Sequence, residues 1–151
     1  MKGFAQLLGG FLLEYVPRRR NLSDNTAKSY RDSFVILLRW LSEERGISPD
    51  DVQMGDLSRA NIESFCLWLM EAGGVCAATA NVRLCALRSF ASYVSFTEPA
   101  YIDWALSLRA VELSKSPSKE VEHLSVEAVR LVMDSASSDV REHAMLALLY
   151  D

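Results

Sequence analysis

The feature that most constrains this chain is one periodic run. Between Ser23 and Gly46 the apolar side chains fall at Ala27, Tyr30, Phe34, Leu37 and Leu41, at spacings of three, four, three and four. At roughly 100° per residue these positions stack on a single face, and only a long amphipathic helix uses such a pattern. Ser23 or Asp24 supplies an N-terminal cap, Gly46 a stop, and Pro49 lies just beyond it. Lys28, Arg31 and Arg39 share one flank of this helix, roughly 120° from the apolar stripe.

Helical periodicity recurs on both sides. Phe4, Leu7, Leu8, Phe11, Leu12 and Tyr15 predict a first helix over 4–16, ended by Pro17, with Arg18-Arg19-Arg20 as a basic turn. Residues 47–57 read as a loop. Ser58 caps a predicted third helix over 59–72, with Ile62, Phe65, Leu69 and Cys66 facing inward and Gly73-Gly74 at its end. A fourth helix over 77–96 is apolar on most sides (Val82, Leu84, Leu87, Phe90, Tyr93, Val94), which places it centrally in a bundle. Its polar stripe is narrow: Asn81, Cys85, Arg88 and Ser92. A short helix around 100–109 follows, anchored by Trp104 and Leu108. Glu112 to Glu122 is polar and contains Pro117, as an inter-domain linker does. Ser125 then caps a helix over 126–136 with Val129, Val132 and Met133 inward, and another helix opens near Asp139 and is still apolar at Asp151, as in a truncated domain. No strand alternation or internal repeat is visible, so the fold class is all-α.

The net charge of −4 alone argues against a nucleic-acid partner, but its distribution matters more than the sum. Residues 1–98 hold eleven basic and eleven acidic side chains, whereas 99–151 hold five and nine and carry the whole deficit. Between Arg18 and Arg31 five basic residues face only Asp24, and no acid lies between Glu71 and Glu98, where Arg83 and Arg88 sit. These two segments make a basic face if they fold side by side. Cys66, Cys76 and Cys85 form no paired motif and read as reduced packing thiols of a cytoplasmic protein. His123 and His143 are far from them and from each other, so no metal site is expected. The apolar stretch 3–16 is shorter than the roughly 20 residues a membrane span needs. Trp40, Trp68 and Trp104 read as core anchors.

Two stretches carry a family resemblance. Leu22-Ser23-Asp24-Asn25-Thr26-Ala27-Lys28-Ser29-Tyr30-Arg31-Asp32, continuing to Phe34 and Trp40-Leu41, resembles the start of a tyrosine recombinase (phage integrase) core-binding domain. Thr79 to Phe90 resembles the second signature of that domain. His123 to Ala128 is similar to the opening of the family's catalytic domain, and Arg141 to Asp151 to the helix before its first catalytic arginine. The resemblance implies an orthogonal, SAM-like helical bundle over 1–110, a linker over 111–122, and the truncated start of a catalytic domain over 123–151. It also implies double-stranded DNA as partner, against the second and fourth helices, and self-association of protomers on DNA. The implied reaction is a metal-free, cofactor-free strand exchange through a phosphotyrosine, whose catalytic residues all lie beyond Asp151. Tyr150 and His143 are then helix residues and not catalytic groups. Cys85 departs from the family pattern, where a small hydroxyl residue is common.

The candidate DNA-contacting residues are Thr26, Lys28, Arg31, Asn81, Arg83 and Arg88. Lys28 and Arg31 are placed to contact phosphate or to form a solvated flank. Thr26 has a hydroxyl in the first turn, where the helix N-terminus favours an anion. Arg88, on the one polar stripe of an apolar helix, is expected to face solvent or an anion. Arg83 lies nearer the apolar side and suits either DNA contact or a snorkelling side chain. Asn81 suits a base edge, the DNA backbone, or plain surface. A helical transcription regulator and a helical protein-interaction module are the alternatives. The first lacks a visible short helix pair with a glycine turn; the second draws on the apolar first helix and the net negative charge.

Overall fold

The computed structural model describes residues 2–19, 23–115, 125–135, 140–141 and 144. The chain forms two compact units, Met1–Ser116 and Pro117–Asp151. The described residues are helical or irregular, with no strand among them.

The first unit begins with α1 (Phe4–Gly10), continues through a wide π turn (Phe11–Tyr15) and closes with α2 (Val16–Arg19). Pro17 does not end this stretch; the helix passes through it to Arg19. Proline lacks the N–H for an i−4 bond, and its ring collides with the carbonyl one turn back. The wide turn immediately before it relaxes that collision: the Val16 N–H donates to the Phe11 carbonyl, five residues back. Pro17 thereby falls in the first turn of α2, where it is tolerated. Arg18 and Arg19 are consequently helical and not in a turn, and Arg20 lies outside the described residues.

α3 (Asp24–Arg45) matches the periodic run from which it is predicted. Ser23 is the cap, its Oγ accepting from the Thr26 N–H, and Gly46 ends the helix in the left-handed region at φ 66°. The segment that reads as a loop holds a 3-10 turn (Met54–Leu57), closed by a reciprocal pair of hydrogen bonds between Gln53 and Asp56. That turn buries Met54 and Leu57, with Val52 beside them. α4 (Arg59–Glu71) is capped by Ser58.

α5 (Ala77–Thr97) is the central helix. It packs against α3, α4, the π turn, a 3-10 turn (Pro99–Tyr101) and α6 (Ile102–Arg109). Its buried face mixes small and large residues: Ala80, Leu84, Ala86, Leu87, Phe90, Ala91 and Val94. Around Phe90 stand Phe34 at 5.2 Å, Phe11 at 5.4 Å, Phe4 at 6.1 Å and Trp104 at 6.2 Å between ring centroids, all edge-on. Such pairs add about 0.5–1.5 kcal/mol each beyond burial. Trp104 also donates its indole N–H to the Leu57 carbonyl at 3.0 Å and ties α6 to the Met54–Leu57 turn. Trp40 is buried, while Trp68 and Trp104 are half-buried against the same core. The core extends past α6 to Val111, which is 2% exposed although its position in the sequence reads as linker.

In the second unit the described residues form α7 (Val126–Ser135), with the Ser125 Oγ accepting from the Ala128 N–H at 3.2 Å. Val129 is half-buried; Val132, expected inward, is exposed, as are Val126 and Leu131. The expectations for His123, His143, Tyr150 and most of the helix from Asp139 lie outside the described residues.

Candidate nucleic-acid interface

A groove of about 470 Å³ runs between α3 and α5. Asn25, Lys28, Ser29, Asp32, Val35, Ile36 and Arg39 line it from α3; Thr79, Val82 and Arg83 line it from α5. The α3 positions recur at three and four residues, so they form one stripe along about four turns of helix. The groove holds three cations and a single acid. None of Lys28, Arg39 and Arg83 makes an ion pair with another described residue; the one such pair among those residues is Arg59–Glu63 at 2.7 Å on α4. Arg83 is half-buried, and its Nε is shielded from solvent without a hydrogen-bond partner. An unsatisfied buried donor of this kind costs about 1–3 kcal/mol.

The structure distributes the sequence-predicted residues over four environments. Lys28 and Arg83 both line the groove, from α3 and α5 respectively. Thr26 stands at the N-terminus of α3, its Oγ1 3.1 Å from the capping Ser23 Oγ. Arg31 is exposed on α3 and lines no described hollow. Asn81 and Arg88 face the chain itself. Asn81 donates from Nδ2 to the Ser114 carbonyl and accepts the Ser114 N–H at Oδ1, both at 2.8 Å. Arg88 is not unpaired: Nη2 donates to the Val111 carbonyl, just past the C-terminus of α6, where the helix dipole favours a cation. Its Nε is buried without a partner, and it borders a smaller hollow with Tyr30, Cys85, Ser89, Ser92 and Arg109.

Arg39 and Val82 are the groove residues that sequence reasoning undervalued. Arg39 lies eleven residues from Lys28, close to three helical turns, so the spacing held the signal. Val82 counts as apolar and therefore inward, yet it is 52% exposed on the groove wall. The cysteines differ from the packing role expected of all three: Cys66 is buried, and Cys76 and Cys85 are exposed. Burial pushes the Cys66 thiol up to about 11, whereas a hydrogen bond from Thr79 holds that of Cys76 below the usual thiol value. Among the described residues no cluster of His, Cys, Asp and Glu is arranged to hold a metal, and no helix is long and apolar enough to cross a membrane.

The comparison with known families decides what kind of helical unit this is. Residues 11–95 match the family described as phage integrase, N-terminal SAM-like domain. The chain belongs to the phage integrase family. Among curated proteins this integrase-family chain is 27% identical to a Sinorhizobium fredii protein named as an integrase/recombinase, y4rC, over 94% of this chain and 44% of the relative. It is 30% identical to the tyrosine recombinase XerD of Pseudomonas putida, over 87% of this chain and 42% of that protein. The integrase-family chain therefore spans less than half the length of these relatives. No solved structure matches it. The matched segment contains the whole α3–α5 groove, from Asn25 to Arg83.

Proposed function

We propose that this chain is the DNA-binding part of a site-specific tyrosine recombinase, and that duplex DNA lies along the α3–α5 groove. The observation that carries the reading is the alignment of Lys28, Arg39 and Arg83 along one groove, with Arg83 holding a buried, unpartnered Nε. Three unpaired cations spaced along helix faces suit a phosphate backbone, which positions a protein without reading sequence. Thr26 and Arg31 extend the contact along α3, and Arg88 with Arg109 offers a second anion-attracting hollow beside Tyr30. Asn81 joins the interface only by giving up its pairing with Ser114.

In the complete enzyme the reaction is phosphoryl transfer to a tyrosine. The nucleophile and the cations that stabilise the developing phosphorane charge belong to the portion of the relatives that this chain does not match. Residues 1–110 then act as the core-binding domain, 111–122 as linker and 123–151 as the opening of the catalytic domain. Protomers associate on DNA, in the cytoplasm.

Fluorescence anisotropy with a labelled duplex tests the reading. Three phosphate contacts predict that log K falls against log salt with a slope of about −2.7. A Lys28→Gln/Arg39→Gln/Arg83→Gln variant that still shows the parent helical signal should bind at least tenfold more weakly and with a flatter slope. Equal binding by parent and variant overturns the placement.

A further inference from the structure

Asn81 and Arg88 lie on one stripe of α5, seven residues apart, and each binds backbone of the segment that follows α6. Val111 is held by Arg88 and Ser114 by Asn81, so the segment 111–114 runs beside α5 towards its N-terminal end. Asn81 is half-buried and uses both faces of its amide on one residue, Ser114, which is 33 positions away. This is the pairing a neighbouring strand makes, supplied here by a side chain. Val111 is packed into the core at the other end.

Helical geometry places this track relative to the groove. Taking Thr79 as origin, Arg83 stands at roughly 40° and Val82 at roughly 300°, on the groove side; Asn81 and Arg88 stand at roughly 200° and 180°. The outward arc of α5 between them carries the exposed Val82 and Cys85. The α3 groove thus bounds one edge of this outer face, and the anchored segment bounds the other.

We infer that Asn81, with Arg88, is a positioning residue that clamps residues 111–114 to α5 and so fixes where, and in which direction, the chain leaves the helical unit. The exit point is the N-terminal half of α5, at the far edge of the face that the groove borders. That this placement serves DNA engagement rests on the proposed function; the clamp itself does not.

Hydrogen exchange read by NMR on the 151-residue chain, without DNA, tests the clamp. The Ser114 amide of the parent should exchange at least tenfold more slowly than an unstructured amide. Asn81→Ala should abolish that protection and speed tryptic cleavage after Lys115, while the Leu87 and Phe90 amides and the melting temperature stay at parental values. Asn81→Asp supplies a signature that a purely structural role does not give. Its ionised carboxylate can still accept the Ser114 N–H but cannot donate to the Ser114 carbonyl, which it repels, so protection is weakened at pH 7. Full protection returns as pH falls through roughly 4, where the protonated acid again donates and accepts. Parental protection at Ser114 in Asn81→Ala overturns the inference, and so does loss of protection throughout α5.

Anisotropy separates this from the DNA reading. Asn81→Ala should leave duplex affinity within about twofold of the parent. A tenfold loss of affinity with Ser114 still protected makes Asn81 a DNA contact and overturns the clamp. A parent that binds no duplex sinks the proposed function alone, and the exchange results still decide the clamp.

Discussion

At the residue scale, environment and not residue type decides what each side chain does. Three cysteines that look equivalent in the sequence separate into one buried and two exposed thiols. Burial is the largest influence on Cys66, with Glu63 adding to it, and both favour the protonated form. The Cys66 contribution to stability is therefore complete below the ordinary thiol value of 9.0 and is lost as pH rises towards about 11. Iodoacetamide at pH 8 should label Cys76 well before Cys66, and mass spectrometry of the native protein should find Cys66 unmodified until the fold is denatured. Phe90 is fully buried among Phe4, Phe11, Phe34 and Trp104 and is a sensitive core position. Phe90→Ala should cost about 3–5 kcal/mol in urea unfolding. A loss below 1 kcal/mol would mean that the cluster does not hold the helices together. The same logic separates the two arginines of α5. Sequence pattern placed Arg88 on a polar stripe and suggested a free guanidinium; it could not show that the end of α6 comes to rest against it. Such a contact, between residues 23 positions apart, is set by tertiary packing.

At the scale of elements, the helices with strong caps and regular apolar spacing were legible. Ser23 and Gly46 bracket α3, and Ser58 opens α4, because each satisfies backbone groups that the helix leaves unpaired. Ser23→Ala should lower stability by about 1 kcal/mol in denaturant unfolding, through loss of the cap to Thr26. Gly46→Ala should cost a similar amount because alanine must adopt φ 66°. What the sequence hid were elements that depend on irregular geometry. Pro17 reads locally as a terminator, yet a π turn one step earlier accommodates it, and no simple periodicity signals that turn. Gly10 lies at the approach to this turn, where an added Cβ would stand 2.5 Å from the Tyr93 hydroxyl, so close packing against α5 explains a glycine there. The Met54–Leu57 turn was hidden in a polar stretch because only two of its four residues enter the core.

At the scale of the whole molecule, the chain has a self-contained first unit whose core closes at Val111. A chain ended after Ser116 should melt within a few degrees of the full chain. One ended after Ala110 should lose about 1.5–3 kcal/mol, because the buried Val111 side chain goes with it. Calorimetry on the two truncations distinguishes these outcomes. Net charge was a poor guide at this scale. The acidic excess lies in residues 99–151, whereas α3 and α5 bring together cations that are 55 positions apart in the case of Lys28 and Arg83. Folding, not composition, makes the basic face.

The central claim is that duplex DNA occupies that face, and amide shift mapping of the labelled chain during a duplex titration at low salt tests it most directly. The account predicts shifts concentrated along Asn25–Arg39 and Thr79–Arg83, fading together as salt rises. Shifts confined to α6, or none at any salt concentration, would contradict it.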